Sequence, residues 1–184
     1  IERIIPTGVC ALGQEYTLDA LIMATGFDAM TGTLMKIHIK GRGGCSLSDK
    51  WADGPRTYLG LGMADFPNLF TITGPGSPSV LTNMLQSIEQ HVDWVVDCLN
   101  YLRANEITEI EATQSAEDAW VVHNDEVADD HIRNSCSSWY IGANIDDKPR
   151  VFMPYVGGFP RYVDKCNEIA ANGYSGFTLS SSSS

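Results

Sequence analysis

No stretch of this sequence is long enough to cross a membrane as a helix. Its longest apolar runs, such as Leu21-Ile22-Met23-Ala24, fall far short of the ~20 residues required. Basic residues are scarce, 12 against 23 acidic ones for a net charge of -11, so a phosphate backbone would be repelled and nucleic-acid binding is disfavoured. There is no C-x-x-C pair. The five cysteines (Cys10, Cys45, Cys98, Cys136 and Cys166) are odd in number and widely spread, which reads as reduced intracellular thiols rather than a disulfide scaffold or a zinc site. The four histidines (His38, His91, His123 and His131) share no metal-ligand spacing, so no metal is expected. No G-x-S-x-G elbow supports a serine hydrolase. No basic, apolar leader precedes a cleavage site, so a cytoplasmic location is expected. Internal repeats are also missing.

What remains is a loop-rich globular composition. Hydrophobic residues make up 43%, charged residues 19%, with 17 glycines and 8 prolines in 184 residues, which excludes low-complexity disorder and suits one domain or a large piece of a bigger one. The N-terminal third reads as β-rich. A turn at Gly13-Gln14-Glu15 leads into Tyr16 to Ala24, a nearly continuous apolar run of the kind found in strands buried on both faces. Leu34 to Ile39 alternates weakly, Gly41-Arg42-Gly43-Gly44 turns the chain, and residues 45–65 read mostly as loop. Phe66 to Gly74 reads as a second short buried strand. After the loop Gly74-Pro75-Gly76-Ser77-Pro78-Ser79, apolar residues recur at Met84, Leu85, Ile88, Val92, Val95, Val96, Leu99 and Leu102, which predicts a long amphipathic helix to about Arg103. A second helix is expected from an N-cap at Ser115, with Asp118 three residues on, to about Ile132. From Cys136 to Thr178 the prolines Pro149, Pro154 and Pro160 are expected to prevent long helices. Ser180 to Ser184 reads as a disordered or artefactual serine tail.

Strand, glycine loop and helix is an anion-binding layout, because a first helical turn presents unpaired N–H groups and a positive dipole end. Gly74-x-Gly76-x-x-Ser79 imitates the dinucleotide fingerprint, although two prolines remove N–H donors and no acidic residue ends a second strand about 20 residues on. Touching a cofactor and merely capping a core helix both stay open for this loop. Gly41-x-Gly43-x-x-Ser46 reads as a turn, His91 as a packed residue on the long helix, and the pairs Asp129-Asp130 and Asp146-Asp147 as solvated surface. Trp139-Tyr140-Ile141-Gly142-Ala143-Asn144 places two large aromatics before a polar turn. They are either a core anchor or a flap that lays an indole over a ligand.

Five ordered motifs together resemble one family. Leu18 to Ala29, containing Ala24-Thr25-Gly26-Phe27-Asp28, resembles the A-T-G-[FY]-D segment of class B flavoprotein monooxygenases. Gly54-Pro55-Arg56-Thr57-Tyr58-Leu59-Gly60 and Phe66-Pro67-Asn68-Leu69-Phe70 are similar to the loop and last buried strand of the Baeyer–Villiger branch. Gly74 to Met84, with Ser87-Ile88-Glu89-Gln90-His91-Val92 after it, looks like that branch's active-site bulge and following helix. Ser138 to Ile145 and Tyr155-Val156-Gly157-Gly158 look like its control loop and C-terminal segment. The likeness covers about residues 2–178 and is closer to the phenylacetone, steroid and polycyclic-ketone members than to the cyclohexanone enzyme. The family's N-terminal G-x-G-x-x-G, its F-x-G-x-x-x-H-x-x-x-W fingerprint and its second nucleotide fingerprint are absent. Asp146-Asp147-Lys148 stands where the family usually has P-G-K.

The resemblance implies an α/β fold: the C-terminal third of a flavoprotein with two Rossmann-like dinucleotide-binding domains. Residues 1–27 would end the NADP-binding domain. Residues 28–179 would form the second half of the FAD-binding domain, with the active-site bulge at 76–84, the control loop at about 126–146 and an irregular C-terminal segment. It also implies oxidation of ketones to esters or lactones by FAD, NADPH and O₂ through a peroxyflavin. No catalytic residue is expected in this segment, because the family's aspartate and arginine lie upstream. Thr82, Asn83, Met84 and Gly74 would meet FAD, and Trp139, Gly26 and Thr25 would meet NADP or the domain junction. Ser79, Val80, Leu81, Met84 and Trp139 would line the ketone pocket. The expected partners are a small-molecule ketone, O₂ and the N-terminal remainder of the same enzyme. The contrasting expectation is a non-catalytic remnant or binding fragment that cannot hold FAD. A third is an N-hydroxylating or sulfoxidising relative, against which Trp139 to Asn144 argues.

Overall fold

The computed structural model describes residues 1–24, 26–79, 82–129 and 138–181. Its N-terminus is an antiparallel meander of β1 (Arg3–Ile5), β2 (Gly8–Ala11) and β3 (Gln14–Thr17). Ala11 pairs with Gln14 across a two-residue turn. Both turn residues, Leu12 and Gly13, have positive φ (52° and 73°), as the tight hairpin turn that matches strand twist requires.

The apolar run after β3 departs from expectation. The strand stops at Thr17, and Leu21, Ile22 and Met23 stand exposed, Ile22 at 86%. A strand buried on both faces needs a neighbour on each side. Beyond the Leu18 amide, which donates to Thr7 O at 3.0 Å, residues 18–24 find no ladder partner among the described residues. The second expected strand, Phe66 to Gly74, is also absent. Asn68 and Thr73 adopt positive φ (58° and 52°), so the chain turns repeatedly and cannot stay extended. Leu34 to Ile39 opens instead with the end of a single helical turn, α1 (Gly32–Met35). A second single turn, α2 (Leu47–Lys50), is capped by Ser46, whose hydroxyl accepts from Asp49 N at 3.0 Å.

The long helix forms as expected. It is α3 (Met84–Ala104), 21 residues, but it turns a different face inward than its apolar spacing suggests. Ser87, His91, Trp94, Cys98 and Leu102 are buried, while Leu85, Ile88, Val92, Val96 and Leu99 are exposed. Next come β4 (Glu109–Ala112) and α4 (Gln114–Ala128). The cap of α4 is Thr113 rather than Ser115, with the Thr113 hydroxyl accepting from Ala116 N at 3.2 Å. The expected end of this helix at Ile132 lies outside the described residues.

The C-terminal segment contains an unexpected 13-residue helix, α5 (Phe159–Ala171). Pro160 does not oppose it, because it sits in the first turn, where no N–H is required. Strand β5 (Phe177–Ser180) then pairs antiparallel with β4, Ala112 opposite Phe177 and Glu109 opposite Ser180. The serine tail is therefore ordered at its start. Ser180 belongs to β5, and the Ser181 hydroxyl donates to Glu106 O at 2.8 Å.

The main core gathers Leu59, Leu61, Trp94, Ile110, Trp120, Tyr162 and Ile169 between α3, β4, α4 and α5. Leu47, Trp51, Met63 and Phe66 form a second core, and Ala128, Tyr140 and Phe152 a third. Among the described residues no helix is long and apolar enough to cross a membrane, and no group of three or more His, Cys, Asp or Glu could hold a metal.

Candidate functional site

The loop Gly74 to Ser79 is held from four directions. Thr57 Oγ1 donates to Pro75 O at 2.6 Å and Trp120 Nε1 to Gly76 O at 2.9 Å. The amide of Gly76 donates to Met153 O at 2.7 Å, and that of Tyr155 to Ser77 O at 3.0 Å. Within the loop, the amide and hydroxyl of Ser77 both donate to Gly74 O, at 3.1 and 2.7 Å. The amides of Gly76 and Ser77 are thus spent inside the protein. They form no anion cradle, and the loop acts as a rigid platform rather than a phosphate-binding turn.

Glycine at position 60 permits this seating. It has φ 70°, and a Cβ there would lie 2.5 Å from Ser77 Cβ and 2.7 Å from Ser77 N. Gly60→Ala should therefore displace the loop and cost about 2 kcal/mol of stability through overpacking and backbone strain, which a urea unfolding curve would report. At Gly74 a Cβ would lie 2.6 Å from Gly60 O, so internal packing alone requires glycine there.

The loop delivers the chain to the N-terminus of α3. Asn83 caps that end through Oδ1, which accepts from Leu85 N at 3.1 Å. The amides of Met84 and Gln86 have no partner among the described residues, and the first turn carries no acidic residue. This end of the helix therefore offers N–H donors and a positive dipole to a group bearing partial negative charge. Thr82 and Met84 are half-buried and Asn83 is exposed. Ser79 is buried, with its hydroxyl 4.0 Å from Met30 Sδ. Val80, Leu81 and Thr25 lie outside the described residues.

A second cluster forms around Trp139. The chain makes a 3-10 turn at Trp139–Ile141, capped by the Ser138 hydroxyl, which accepts from Tyr140 N at 3.2 Å. Tyr140 is buried against Phe152 and Ala128, whereas Trp139 is half-buried and stacks on Tyr140 with ring centres 4.3 Å apart. Tyr140 is thus a core anchor, and Trp139 is the outer ring of the pair. Arg150 holds the following turn through the carbonyls of Gly142 and Ile145. Asn144 Nδ2 donates to Phe27 O at 2.9 Å, and Lys148 pairs with Asp28. The segment after Trp139 is in this way docked on residues 26–28, which brings exposed Gly26 and the Trp139 turn into one region. A cavity of about 210 Å³ lies there, lined by Asp28, Thr31, Trp51, Lys148 and Met153 among others.

Sequence reasoning missed the supports of this site. His91 Nδ1 accepts from Thr73 N at 2.8 Å, directly before the loop, and His91 Nε2 lies 2.8 Å from the Tyr162 hydroxyl. That hydroxyl donates to Leu59 O at 2.6 Å. Burial pushes the His91 imidazole down to about 4 and the Tyr162 phenol well above its usual value. Behind the loop, Thr57, Gly76, Asn124, Asp125 and Met153 line a cavity of about 20 Å³, where Asn124 Oδ1 is buried without a partner among the described residues. One water fits that space. Apolar spacing cannot reveal such bonds, since each partner lies far away in sequence.

No family model matches the chain. It is 44% identical over 182 residues to the acetone monooxygenase (methyl acetate-forming) of Gordonia sp. (strain TY-5), covering 98% of this chain and 34% of that protein. It is 38% identical over 175 residues to a Baeyer-Villiger monooxygenase of Pseudooceanicola batsensis, covering 95% and 32%. Among solved structures, an oxidized steroid monooxygenase bound to NADP superposes with a TM-score of 0.85 at 50% identity, over 97% of this chain and 33% of that one. The chain therefore spans about a third of the length of the curated relatives it matches, and its mixed helix and sheet fold is that of a segment of these flavoproteins.

Proposed function

Since the chain belongs to the Baeyer–Villiger monooxygenase family, we propose that it forms part of an FAD- and NADPH-dependent enzyme that uses O₂ to convert bulky or cyclic ketones to esters or lactones. The observation that carries this reading is the rigid loop Gly74 to Ser79 feeding a capped helix end whose amides at Met84 and Gln86 have no partner among the described residues. Residues 1–27 then end an NADP-binding domain, and residues 28–179 supply the second half of an FAD-binding domain. The free cysteines among the described residues, Cys10, Cys45, Cys98 and Cys166, suit a reducing cytoplasmic compartment.

The residues of this chain bind and orient. The α3 N-terminus, with Thr82, Asn83 and Met84, fits a cofactor edge on which negative charge accumulates, because its dipole and donors favour that charged form without reorganising. Gly74 contributes by fixing the loop's first turn. Ser79 and Met84, with Val80 and Leu81, line the ketone pocket, so their bulk limits substrate size. Trp139, with Gly26 and Thr25 at the junction, covers the nicotinamide side and excludes water. FAD and NADPH supply the redox chemistry when bound.

The test is a chimera in which this chain replaces its counterpart in the Gordonia acetone monooxygenase. A yellow protein that oxidises NADPH and forms lactone from a bulky cyclic ketone supports the reading. A flavin-loaded chimera that yields only peroxide, or a colourless folded one, overturns it. Within the active chimera, Met84→Phe should lower kcat/KM for the bulky ketone about tenfold relative to acetone, the ~1.4 kcal/mol that a pocket too small for one group imposes.

A further inference from the structure

A groove of about 560 Å³ lies between α4 and α5, lined by Tyr58, Ala116, Ala119, Trp120, His123, Tyr155, Arg161 and Lys165. That volume is within the range of small-molecule sites, and its lining shares no residue with the loop at 74–84 or the Trp139 turn. The walls are aromatic. Trp120 and Tyr155 stack with centres 5.4 Å apart and planes inclined by 16°. His123 lies 5.3 Å from Trp120 and 5.8 Å from Tyr155, and Tyr58 meets Trp120 edge-on at 6.5 Å. Tyr58, Trp120 and Tyr155 are buried. Two of them are also held by distant bonds: Trp120 Nε1 donates to Gly76 O, and the Tyr58 hydroxyl donates to Ser175 O at 3.1 Å. The short side chains of Ala116 and Ala119 leave the space open.

Charge at the groove runs against that of the whole molecule. Arg161 and Lys165 stand one turn apart on α5 in a chain of net charge -11. Lys165 is engaged by Glu168 at 3.0 Å, so its charge is largely answered. Arg161 makes no ion pair or hydrogen bond with a described residue, and neither does the Tyr155 hydroxyl. A guanidinium is a rigid planar fork matched to a carboxylate, and flat aromatic surfaces favour a flat ring laid against them.

We propose that this groove binds a small flat aromatic carboxylate, with its ring among Trp120, His123 and Tyr155 and its carboxylate on Arg161. A neutral ketone offers the guanidinium one carbonyl oxygen and no charge, where a carboxylate offers two oxygens and a full negative charge, so this is a second site with its own ligand class. Neither flavin loading nor turnover bears on it.

The test is calorimetric titration of the chain with 2-naphthoate, beside its neutral counterpart 2-naphthamide. Saturable one-to-one binding of naphthoate is expected, tighter than naphthamide by tenfold or more. Arg161→Gln should weaken naphthoate at least tenfold and leave naphthamide within twofold. Ala119→Trp, at an exposed helix position that would fill the groove, should abolish both. The chimera described above should bind naphthoate as the chain does. Equal binding of acid and amide, an unchanged Arg161→Gln, binding that survives Ala119→Trp, or binding lost in a folded chimera would each overturn the proposal. The third outcome would place the ligand outside this groove, and the last would mean that another segment covers it.

Discussion

Replacing Lys50 with methionine should lower the stability of this chain by about 3–5 kcal/mol, the loss typical of a buried ion pair deprived of one partner. Glu117, in the first turn of α4, is completely buried. Its Oε2 accepts from Lys50 Nζ at 3.0 Å and from Ala64 N at 2.9 Å, while Oε1 has no partner among the described residues. Lys50 itself is only 9% exposed in its side chain. Without the ammonium, the carboxylate keeps one backbone donor in a site that excludes water, and desolvation is no longer offset. The pair also joins two cores, since Lys50 ends α2 beside Leu47 and Trp51 while Glu117 belongs to the helix that carries Trp120. Removing both charges tests the cause. Lys50→Met with Glu117→Gln keeps an acceptor for Ala64 N and should recover most of the loss, because replacing a buried pair as a whole is often nearly neutral. Urea midpoints of the wild type, both single variants and the double variant complete the cycle. If Lys50→Met lowers stability by less than 1 kcal/mol, the site is wetter than its burial indicates.

What the sequence makes legible follows the range of the interactions involved. The helices α3 and α4 are local objects, with three- and four-residue apolar steps and capping side chains at Asn83 and Thr113, and they form close to where periodicity places them. Which face of α3 turns inward is not local. The apolar stripe Leu85, Ile88, Val92, Val96 and Leu99 faces outward, and the buried face holds Ser87 and His91. The His91 partners are Thr73 and Tyr162, which stand 18 and 71 residues away. Polar burial of this kind is stable only when such partners exist, and no window of sequence contains them. Helix α5 is missed for the opposite reason. Pro160 is read as a breaker although first-turn geometry tolerates it. The apolar runs at 18–24 and 66–74 show that an apolar run licenses a strand only where a ladder partner and negative φ values are both supplied.

The candidate site divides along the same line. The loop Gly74 to Ser79 and the turn at Trp139 are visible as motifs, and the family resemblance carried by Ala24 to Asp28 and Ser138 to Ile145 agrees with the relatives found. The loop's rigidity is supplied by Trp120, Met153 and Tyr155, at least 44 residues downstream. Anion cradle or platform is decided by where the loop amides go, and the carbonyls of Met153 and Gly74 take the Gly76 and Ser77 amides that a phosphate would need.

Acidification should unfasten the base of this platform. His91 is fully buried, and Thr73 N–H donates to its Nδ1. The neutral ring must therefore carry its proton on Nε2, which donates to the Tyr162 hydroxyl, and that hydroxyl in turn donates to Leu59 O. A second proton on Nδ1 would face the Thr73 N–H directly, so the fold favours the neutral imidazole. The other titratable groups against Tyr162 are the Cys166 thiol, which burial pushes up to about 11, and the Tyr155 phenol, which burial also raises, so both stay uncharged throughout the acid range. Burial lowers His91 to about 4, against about 6.5 in an unfolded chain. Between these values the unfolded state binds more protons than the native one, and stability falls as the pH drops. The contribution is complete above pH 6.5 and lost by pH 4, a difference of about 3 kcal/mol. His91→Gln can accept from Thr73 and donate to Tyr162 without titrating. Urea unfolding from pH 7 to pH 4.5 should therefore show a slope in the wild type that is shallower in His91→Gln, the difference being the histidine's share. The imidazole NMR signals of His91 in the native protein should not titrate above pH 5. Parallel slopes, or a titration near 6.5 in the folded state, would show that His91 reaches solvent. Because Thr73 immediately precedes Gly74, the same protonation that unfolds the chain should first loosen the loop that feeds α3. Hydrogen exchange at Gly76 and Ser77 should consequently accelerate before the global transition.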